Sequence, residues 1–212
     1  MNEDKYNFTN NWFESVAREV WDSLIPQIKP SKILEIGSYE GASTCYLIDK
    51  ITSERNIELH CIDTWEGGEE HKKGGNAEVD MSKVESRFQR NTKLAIDKAE
   101  NSVQLTVHKE SSDTALSKLI SQGRKRYFDF IYVDGSHQAS DVLCDAVLSF
   151  KLLKINGVIA FDDYLWQENF SNGNDLVHYP KPAIDAFTNI FWKKIKIIRA
   201  PLYQLYIHKI MD

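Results

Sequence analysis

A strand-like run that turns through two glycines into a helix is the feature that most constrains this chain. The run Ile33–Ile36 is apolar apart from Glu35, Gly37 and Gly41 follow it, and an apolar helical segment covers 42–51. Glycine lets a ligand approach the main chain closely, and the N–H groups at the start of a helix bind anions. The order strand, glycine turn, helix therefore predicts a nucleotide-binding corner.

An acidic residue follows the next strand-like run at the distance that ribose recognition requires. Asp63 ends the run 57–63, roughly twenty residues beyond the glycines. In dinucleotide-binding folds an acid at this place binds the ribose hydroxyls. The combination favours a nucleotide cofactor without choosing between cofactors.

Strand-like and helix-like segments alternate along the whole chain. The amino-terminal segment 1–30 contains apolar residues at helical spacing, which predict a helix near 10–28. The elements predicted beyond it are strand 32–37, helix 42–51, strand 57–63, helix 81–99, strand 103–107, helix 114–120, strand 128–134, helix 142–153, strand 157–162 after an Asn-Gly turn, helix 183–191, and strands 195–198 and 202–208.

This alternation predicts an α/β fold, namely a Rossmann-like, seven-stranded, mainly parallel sheet with helices on both faces. The last two strands are joined too tightly for a crossover helix, so we expect an antiparallel carboxy-terminal pair. The polar, glycine-rich segment 64–80 interrupts the alternation. A loop of this length in a compact domain is typical of a lid or binding loop, or of a disordered segment.

The composition favours a single globular domain over 1–212. The net charge of -5 argues against nucleic acid or a membrane surface as a partner held by charge alone. The three cysteines lack metal-type spacing, and their odd number suits a reducing compartment. The polar start has no signal peptide, and no apolar run is long enough to span a membrane, so the sequence predicts a cytoplasmic protein.

Acidic residues end three of the predicted strands. They are Asp63, Asp134 and the pair Asp162 and Asp163. Ligands of an open parallel sheet lie beyond the carboxyl ends of its strands, where these acids would repel each other unless a cation neutralised them. Hard oxygen ligands favour Mg²⁺, although each acid by itself could instead cap a helix or lie in a solvated loop. His137 would lie at the same edge, either as a proton acceptor or as an exposed loop residue.

Taken together, these motifs resemble a known family. The stretch 35–43 resembles the first motif of class I S-adenosylmethionine-dependent methyltransferases, and its acid-x-Gly-x-Tyr-x-Gly-x-Ser form is closest to the metal-dependent O-methyltransferases of the catechol O-methyltransferase type. The stretches 130–137 and 156–164 are similar to bacterial relatives that methylate sugars and other small metabolites. The resemblance extends from about Ile33 to Tyr164.

The resemblance implies a cofactor site for S-adenosylmethionine. Gly37 and Gly41 would approach its methionine part, and Asp63 would bind its ribose hydroxyls. The other cofactor-binding positions would be Glu35, Tyr39, Ser43, Trp65, Ser111 and Ser112. In such enzymes an aromatic side chain often packs on adenine, and this sequence has Ser136 at that position. Trp65 could pack on adenine in its place, or it could be a core or lid residue, which is the commoner role of a Trp.

The resemblance also implies the chemistry. Asp134, Asp162 and Asp163 match the three metal-ligand positions, with Asp163 in place of a frequent Asn, and the implied divalent metal is Mg²⁺. His137 falls where these enzymes carry the catalytic base. The expected reaction is methyl transfer to a hydroxyl of a small molecule or sugar, by an enzyme that forms a homo-oligomer as its relatives often do.

Two other functions remain open at this point. A dinucleotide-binding oxidoreductase would also use the first turn and Asp63, but Tyr39 in place of a middle glycine counts against it. A non-catalytic binding protein could retain the same fold. The walls of the substrate pocket are hard to predict, although Tyr164, Trp166 and Phe170 are candidates because they follow the acids.

Overall fold

A seven-stranded sheet forms the centre of the computed structural model, which describes residues 5–68, 71, 77–167 and 175–212. In chain order the strands are β1 Lys32–Ile36, β2 Ile57–Ile62, β3 Val103–His108, β4 Phe128–Val133, β5 Leu153–Phe161, β6 Ile195–Ile198 and β7 Leu205–Lys209. They lie across the sheet in the order β3-β2-β1-β4-β5-β7-β6. The strands β1 to β5 are parallel, and β7 is antiparallel to both β5 and β6. The predicted fold class is therefore confirmed.

The strand order reverses direction between β1 and β4, which places a crevice at the carboxyl ends of these two strands. Ile36 at the end of β1 pairs with Ile62 of β2 on one side and with Val133 of β4 on the other. The residues that follow these three strands therefore meet at one edge of the sheet, as the positions of the acids in the sequence predicted.

Helices cover both faces of the sheet. They are α1 Trp12–Val16, α2 Arg18–Ile28, α3 Ala42–Ile51, α4 Met81–Lys98, α5 Ser112–Ser121, α6 Ala139–Leu152 and α7 Pro180–Ile190, with a short 3-10 helix at Leu176–His178 before α7. The single helix predicted near 10–28 is divided at Ala17. None of the described helices is long and apolar enough to cross a membrane.

The two faces of the sheet are buried in separate apolar clusters because side chains alternate along each strand. In β4, Phe130 and Tyr132 belong to the cluster that includes Trp21 of α2, whereas Ile131 belongs to the opposite cluster with Phe150 of α6. Since the central strands are apolar on both faces, they are held rigidly, and the loops at their carboxyl ends are positioned by a packed core.

One predicted turn is wrong. The Asn-Gly pair at 156–157 does not precede β5 but lies inside it, since β5 already begins at Leu153. The pairing of β4 with β5 shifts register next to this point, between Phe128 and Phe130, and Asn156 has a φ of 67°. Asn adopts positive φ more readily than most residues, so the Asn-Gly pair that is typical of a turn also suits an irregular position inside a strand.

Candidate active site

A cavity of about 1110 Å³ lies beyond the carboxyl ends of the parallel strands. Its walls come from the turn after β1, the end of β2, the start of α5, the loop after β4 and the residues after β5. The amino-terminal segment adds a further wall with Phe8, Asn10 and Trp12. The volume is above the usual range for one small ligand, roughly 300–1,000 Å³, so there is room for a cofactor together with an acceptor.

The fold brings together ten of the thirteen predicted site residues around this cavity. They are Gly37, Tyr39, Ser43, Asp63, Ser111, Ser112, Asp134, His137, Asp162 and Asp163. The other three, Glu35, Gly41 and Trp65, are not part of the lining. These three shape the turns and loops behind the cavity wall.

The two glycines of the first turn are required by packing as well as by backbone geometry. Gly37 has a φ of +82°, and a Cβ atom there would lie 1.8 Å from the carbonyl oxygen of Asp134. Gly41 has a φ of +81°, and its Cβ would lie 3.0 Å from the ring of Phe88. Gly37 is therefore needed for the close approach of the β1 and β4 turns, a reason that the sequence did not reveal.

The carboxylate of Glu35 is buried inside the turn and does not face the cavity. The side chain is 0% exposed and accepts hydrogen bonds from Ser38 Oγ and Ser43 Oγ, each at 2.6 Å, and from Thr44 Oγ1. Burial raises the pKa of Glu35, while these hydroxyl donors act in the opposite direction. Glu35 thus ties the end of β1 to the start of α3 and fixes the shape of the turn.

The carboxylate of Asp63 joins the loop after β2 to the same turn. It accepts the backbone N–H groups of Ser38 and Tyr39 at 2.9 Å each and that of Trp65 at 2.7 Å. A carboxylate has about four acceptor positions, so Asp63 retains capacity for a ligand hydroxyl. Trp65 is buried against Phe88, with a ring separation of 4.9 Å, and donates from Nε1 to the carbonyl of Tyr39. Of the two sequence interpretations of Trp65, the structure favours the core residue.

The end of the cavity near α5 contains an acid that the sequence analysis did not single out. Ser111 and Ser112 line this end together with Asp145 of α6, which is only 1% exposed. Among the described residues, no hydrogen-bond partner reaches Oδ1 of Asp145. Burial raises the pKa of Asp145 to about 7, although a hydrogen bond with Ser112 opposes the shift. The apolar helical spacing of α6 concealed this position, because it faces inward like its apolar neighbours.

Three carboxylates meet at the ends of β4 and β5. Burial, followed by the charges of Asp162 and Asp163, raises the pKa of Asp134 well above its ordinary value. Burial and the charge of Asp163 raise the pKa of Asp162 to about 6. Asp163 has a φ of 54°, which is unusual for a residue other than glycine and is often found at functional sites. The charge of Asp163 therefore disfavours the ionised forms of both Asp134 and Asp162, as expected of converging carboxylates without a counter-ion.

The predicted metal centre is not confirmed by the side-chain arrangement. Within the described residues, no three His, Cys, Asp or Glu side chains are placed so that they could hold a metal ion. The donor chemistry of Asp134, Asp162 and Asp163 nevertheless fits a hard divalent cation, since all are carboxylates and their mutual repulsion would be relieved by one.

The imidazole of His137 is paired with one of these acids. Its Nε2 lies 2.9 Å from Oδ2 of Asp163, and its ring centroid lies 3.9 Å from that of Trp166. Both His137 and Trp166 line the cavity. A histidine held by a carboxylate can accept a proton because the carboxylate stabilises the resulting imidazolium.

A chain of buried hydrogen bonds orients Asp162 from behind. Trp21 Nε1 donates to the hydroxyl of Tyr206 at 3.1 Å, and that hydroxyl donates to Gln204 Oε1. Gln204 Nε2 then donates to the hydroxyl of Tyr132 at 3.4 Å, which donates to Asp162 Oδ2. Trp21 is 185 residues from Tyr206 and Tyr132 is 72 residues from Gln204, so no local pattern could have revealed this chain of hydrogen bonds.

Glu40, inside the first motif, anchors the amino-terminal segment over the cavity. Its carboxylate accepts hydrogen bonds from the backbone N–H and the hydroxyl of Thr9, both at 2.6 Å, and forms an ion pair with Arg87 of α4. Asn91 Nδ2 donates to the carbonyl oxygen of the same residue at 3.0 Å. The motif assigned no role to Glu40, whereas the fold uses it to hold the segment that carries Phe8 and Trp12 at the cavity wall.

The predicted lid loop and pocket wall are described only in part. Gly67, Gly68, His71 and Ala77 line the cavity, which agrees with a loop at its entrance, but residues 69–70 and 72–76 lie outside the described residues. Of the three candidate wall aromatics, Trp166 lines the cavity, and Phe170 lies outside the described residues. Tyr164 is not part of the lining and donates its hydroxyl to Asp185 at 2.7 Å.

The chain is similar in sequence to a protein whose name describes an O-methyltransferase. One curated relative, "Probable caffeoyl-CoA O-methyltransferase 3" from Dictyostelium discoideum, is 26% identical over an alignment of 176 residues that covers 78% of this chain and 60% of that protein. This chain thus spans only about 60% of the length of that relative.

Solved structures share the fold at low sequence identity. The O-methyltransferase from Bacillus cereus in complex with SAH superposes with a TM-score of 0.60 and 15% identity, over 97% of this chain and 84% of that one. A protein from Corynebacterium glutamicum superposes with a TM-score of 0.57 and 17% identity, over 95% of both chains.

A family model described as "Methyltransferase domain" matches residues 34–164. The matched region begins in β1, contains the glycine turn and the acids after β2 and β4, and ends just after those that follow β5. It therefore includes most of the residues that surround the cavity. Since this match covers more than half of the chain, the chain belongs to the methyltransferase domain family, as its motifs predicted.

Proposed function

We propose that this chain is an S-adenosylmethionine-dependent O-methyltransferase that acts on a hydroxyl of a small molecule or sugar. The observation that carries the proposal is the shared cavity: the glycine turn and Asp63 line one end, and the paired His137 and Asp163 line the other. A cofactor bound at the turn would thus present its methyl group to an acceptor beside a proton-accepting imidazole.

The cofactor would lie along the edge formed by β1, β2 and α5. Gly37 and the backbone of Tyr39 would meet its methionine part, and the remaining acceptor capacity of Asp63 would bind the ribose. Ser111 and Ser112 would contact the base. Ser43 lines the cavity but directs its hydroxyl to Glu35, so we expect it to act with Gly41 and Trp65 by fixing the shape of the turn.

His137 would remove the proton of the acceptor hydroxyl. When bound, S-adenosylmethionine would supply the methyl group: a C–O bond would form as the C–S bond breaks, and the electron pair would return to sulfur in a neutral thioether. Asp163 would stabilise the imidazolium through its hydrogen bond with Nε2. Bringing the oxygen, carbon and sulfur into line is the main task of the cavity, because alignment removes the entropic cost of a two-molecule reaction.

Asp134, Asp162 and Asp163 would hold a divalent metal ion, with Mg²⁺ the natural choice for oxygen donors. When bound, such an ion supplies a positive charge that orients the acceptor oxygen and favours its deprotonation. Calorimetric titration of the protein with MgCl₂ tests this point independently of activity. We expect binding to the wild type and at least tenfold weaker binding to Asp134→Asn; equal affinity of the two would contradict the ligand assignment.

The decisive experiment separates cofactor binding from turnover. Isothermal titration should show binding of S-adenosylhomocysteine, and tighter binding of NAD would support the oxidoreductase alternative instead. The variant His137→Ala should retain the affinity for S-adenosylhomocysteine and lose at least about a hundredfold in methyl transfer to an accepted hydroxyl substrate. His208→Ala, a histidine of β7 that does not line the cavity, is the matched control and should retain turnover. Unimpaired turnover of His137→Ala would exclude it as the base.

A further inference from the structure

The edge of the sheet opposite the cavity is formed by strand ends that the topology places side by side. The strands β4, β5 and β6 begin there and β7 ends there, since β7 is antiparallel to both β5 and β6. The backbone N–H of Ile210 donates to the carbonyl of Lys194 at 2.9 Å, and that of Arg126 donates to the carbonyl of Lys151 at 3.0 Å. We call this region the basal edge; it consists of residues 125–129, 151–156, 190–196 and 209–212.

The basal edge is basic, although the chain as a whole has a net charge of -5. Its segments contain eight Lys or Arg residues and two acids, Asp129 and Asp212. Both acids are already paired, Asp129 with Lys154, and Asp212 with Arg126 and Lys209. The remaining cations, which form no ion pair with any described residue, are Lys125, Lys151, Lys193, Lys194 and Lys196. Their charge is not neutralised by the protein, so this edge has a positive field.

Large apolar side chains are exposed at the same edge. Ile155, Ile190, Trp192 and Met211 are between 44% and 72% exposed. Lys193 Nζ lies 5.2 Å from the centroid of the Trp192 ring, so the cation and the ring are presented to solvent together. Lysines on an edge strand often prevent pairing with another sheet, which would account for a lysine in β6. That role does not account for an exposed Trp with three exposed aliphatic side chains around it.

We propose that the basal edge docks on the surface of an anionic lipid bilayer. The lysines would lie next to the headgroups, and Trp192 with its apolar neighbours would enter the interfacial layer. Trp is enriched at membrane interfaces because its ring is both apolar and polar, and lysines are attracted to an anionic leaflet. Apolar contact and charge act together in such attachment, which is reversible. This inference goes beyond the proposed function and does not depend on it.

Other occupants fit the basal edge less well. In a symmetric contact with a second copy the same patch meets itself, so the unpaired lysines of the two chains would face each other and repel. A nucleic acid would attract the lysines, but its phosphates offer no apolar contact to Ile155, Ile190 or Met211. A bilayer offers both anionic groups and an apolar layer. The cavity lies at the other edge of the sheet, so docking would leave it open to solution.

Sedimentation of the full chain with lipid vesicles tests this proposal. One set of vesicles contains phosphatidylcholine alone, and the other also contains about 30% phosphatidylserine, which makes its surface anionic. In about 0.1 M salt we expect at least about fivefold more protein on the anionic vesicles, and in about 0.5 M salt most of this difference should disappear because the charges are screened. Equal binding to both compositions, or no binding to either, would overturn the proposal.

Two variants test whether the basal edge carries the binding. Trp192→Ala removes the ring, and the double variant Lys193→Glu, Lys194→Glu reverses two charges; each should lower the bound fraction at least about threefold. Their controls lie outside the basal edge. Leu176→Ala removes a side chain that is 68% exposed, and the double variant Lys83→Glu, Arg90→Glu on α4 changes the net charge equally.

Both controls should bind anionic vesicles as the wild type does. Unchanged midpoints of thermal denaturation would show that the four variants are folded. If the variants and their controls lose binding equally, the effect comes from net charge or general surface apolarity, and the proposal is overturned. Light scattering after size exclusion tests the second copy: we expect Trp192→Ala to have the same mass as the wild type. A dimer that Trp192→Ala dissociates would assign the basal edge to a second copy and would also overturn the proposal.

Discussion

The two ends of the cavity use carboxylates in opposite ways. At the glycine turn, Glu35 and Asp63 are each surrounded by hydroxyl or backbone N–H donors of neighbouring residues. At the ends of β4 and β5, burial and the neighbouring charge of Asp163 raise the pKa of both Asp134 and Asp162, and the charge of Asp162 adds to the shift of Asp134. At the first end the carboxylates already accept hydrogen bonds from neighbouring donors. At the second end their charges repel one another, and binding of a cation or a proton would reduce this repulsion. The comparison shows that carboxylates can fix the shape of a turn at one end of a cavity and form the proposed reactive site at the other.

The largest loss of stability should come from disrupting the close approach of the turns after β1 and β4, which joins the two ends of the cavity. In Gly37→Ala the new Cβ would lie 1.8 Å from the carbonyl oxygen of Asp134, in addition to the cost of a positive φ. We expect a loss of about 4 kcal/mol in the free energy of unfolding, measured by urea denaturation. Gly123→Ala is the matched control, since its φ is also +82° but nothing lies within 4 Å of the new Cβ. It should lose only about 1 kcal/mol; equal losses would show that backbone strain alone requires Gly37.

Asp145 should make the protein less stable as pH rises, whereas a carboxylate whose charged form is stabilised by partners makes a protein less stable as pH falls. Its pKa is about 7 in the folded protein, above the ordinary 3.8, so the folded state holds a proton that the unfolded chain releases. Its contribution is therefore fully present below pH 3.8 and is lost as pH rises toward 7, by about 4 kcal/mol. Asp145→Asn should remove this part of the slope in denaturation curves recorded between pH 4 and about 8. An unchanged slope would contradict the raised pKa.

Neutralising one acid at each end should change the stability of the protein in opposite directions. Asp63→Asn exchanges a carboxylate oxygen for an amide group, loses acceptors for backbone N–H groups, and should destabilise the protein by about 2 kcal/mol. Asp134→Asn relieves repulsion and should stabilise the metal-free protein by up to about 1 kcal/mol. Thermal denaturation with EDTA present measures both. A loss of stability in Asp134→Asn as large as that in Asp63→Asn would remove the distinction between the two ends.

The smallest effect should come from the hydrogen-bond chain behind Asp162. Tyr132→Phe removes the hydroxyl that donates to this carboxylate and interrupts the path from Gln204. We expect a loss of about 1 kcal/mol in stability and a further rise in the pKa of Asp162, whose charged form loses a donor. Carbonyl-edited infrared or NMR titration of the Asp162 carboxyl follows the pKa directly. Tyr127→Phe, which removes a hydroxyl hydrogen-bonded to Glu58 outside the cavity, should leave the pKa of Asp162 unchanged.

The order of elements and the edge that carries the site could be read from the sequence. The predicted bounds of α3 at 42–51 and of β6 at 195–198 agree with the structure, because strong apolar patterns and clear breakers flank these elements. The acids at the strand ends were found from their position after apolar runs. The Asn-Gly pair was placed wrongly, since a bulge inside β5 and a turn before it use the same residues.

The side chains behind the cavity wall could not be predicted in the same way. Glu40, Gln204 and Asp145 owe their roles to partners distant in sequence: Thr9 and Arg87, Tyr132, and the packing of α6 against α5. Local pattern reports which face of an element is buried, but it does not report which polar groups meet there. For this reason the sequence identified residues at the cavity surface better than the residues that hold them in place.

The sequence by itself determined the fold class, the methyltransferase family and the edge of the sheet where acids gather, because strand and helix periodicity and strand-end position are local properties. Only the tertiary structure decided that Gly37 is required by the carbonyl of Asp134, that Glu35 and Trp65 face away from the cavity, and that lysines and exposed apolar side chains meet at the opposite edge of the sheet. These are relations between residues far apart in the chain. They arise when the strands pair in one register, since only then are distances, burial and the sum of charges defined.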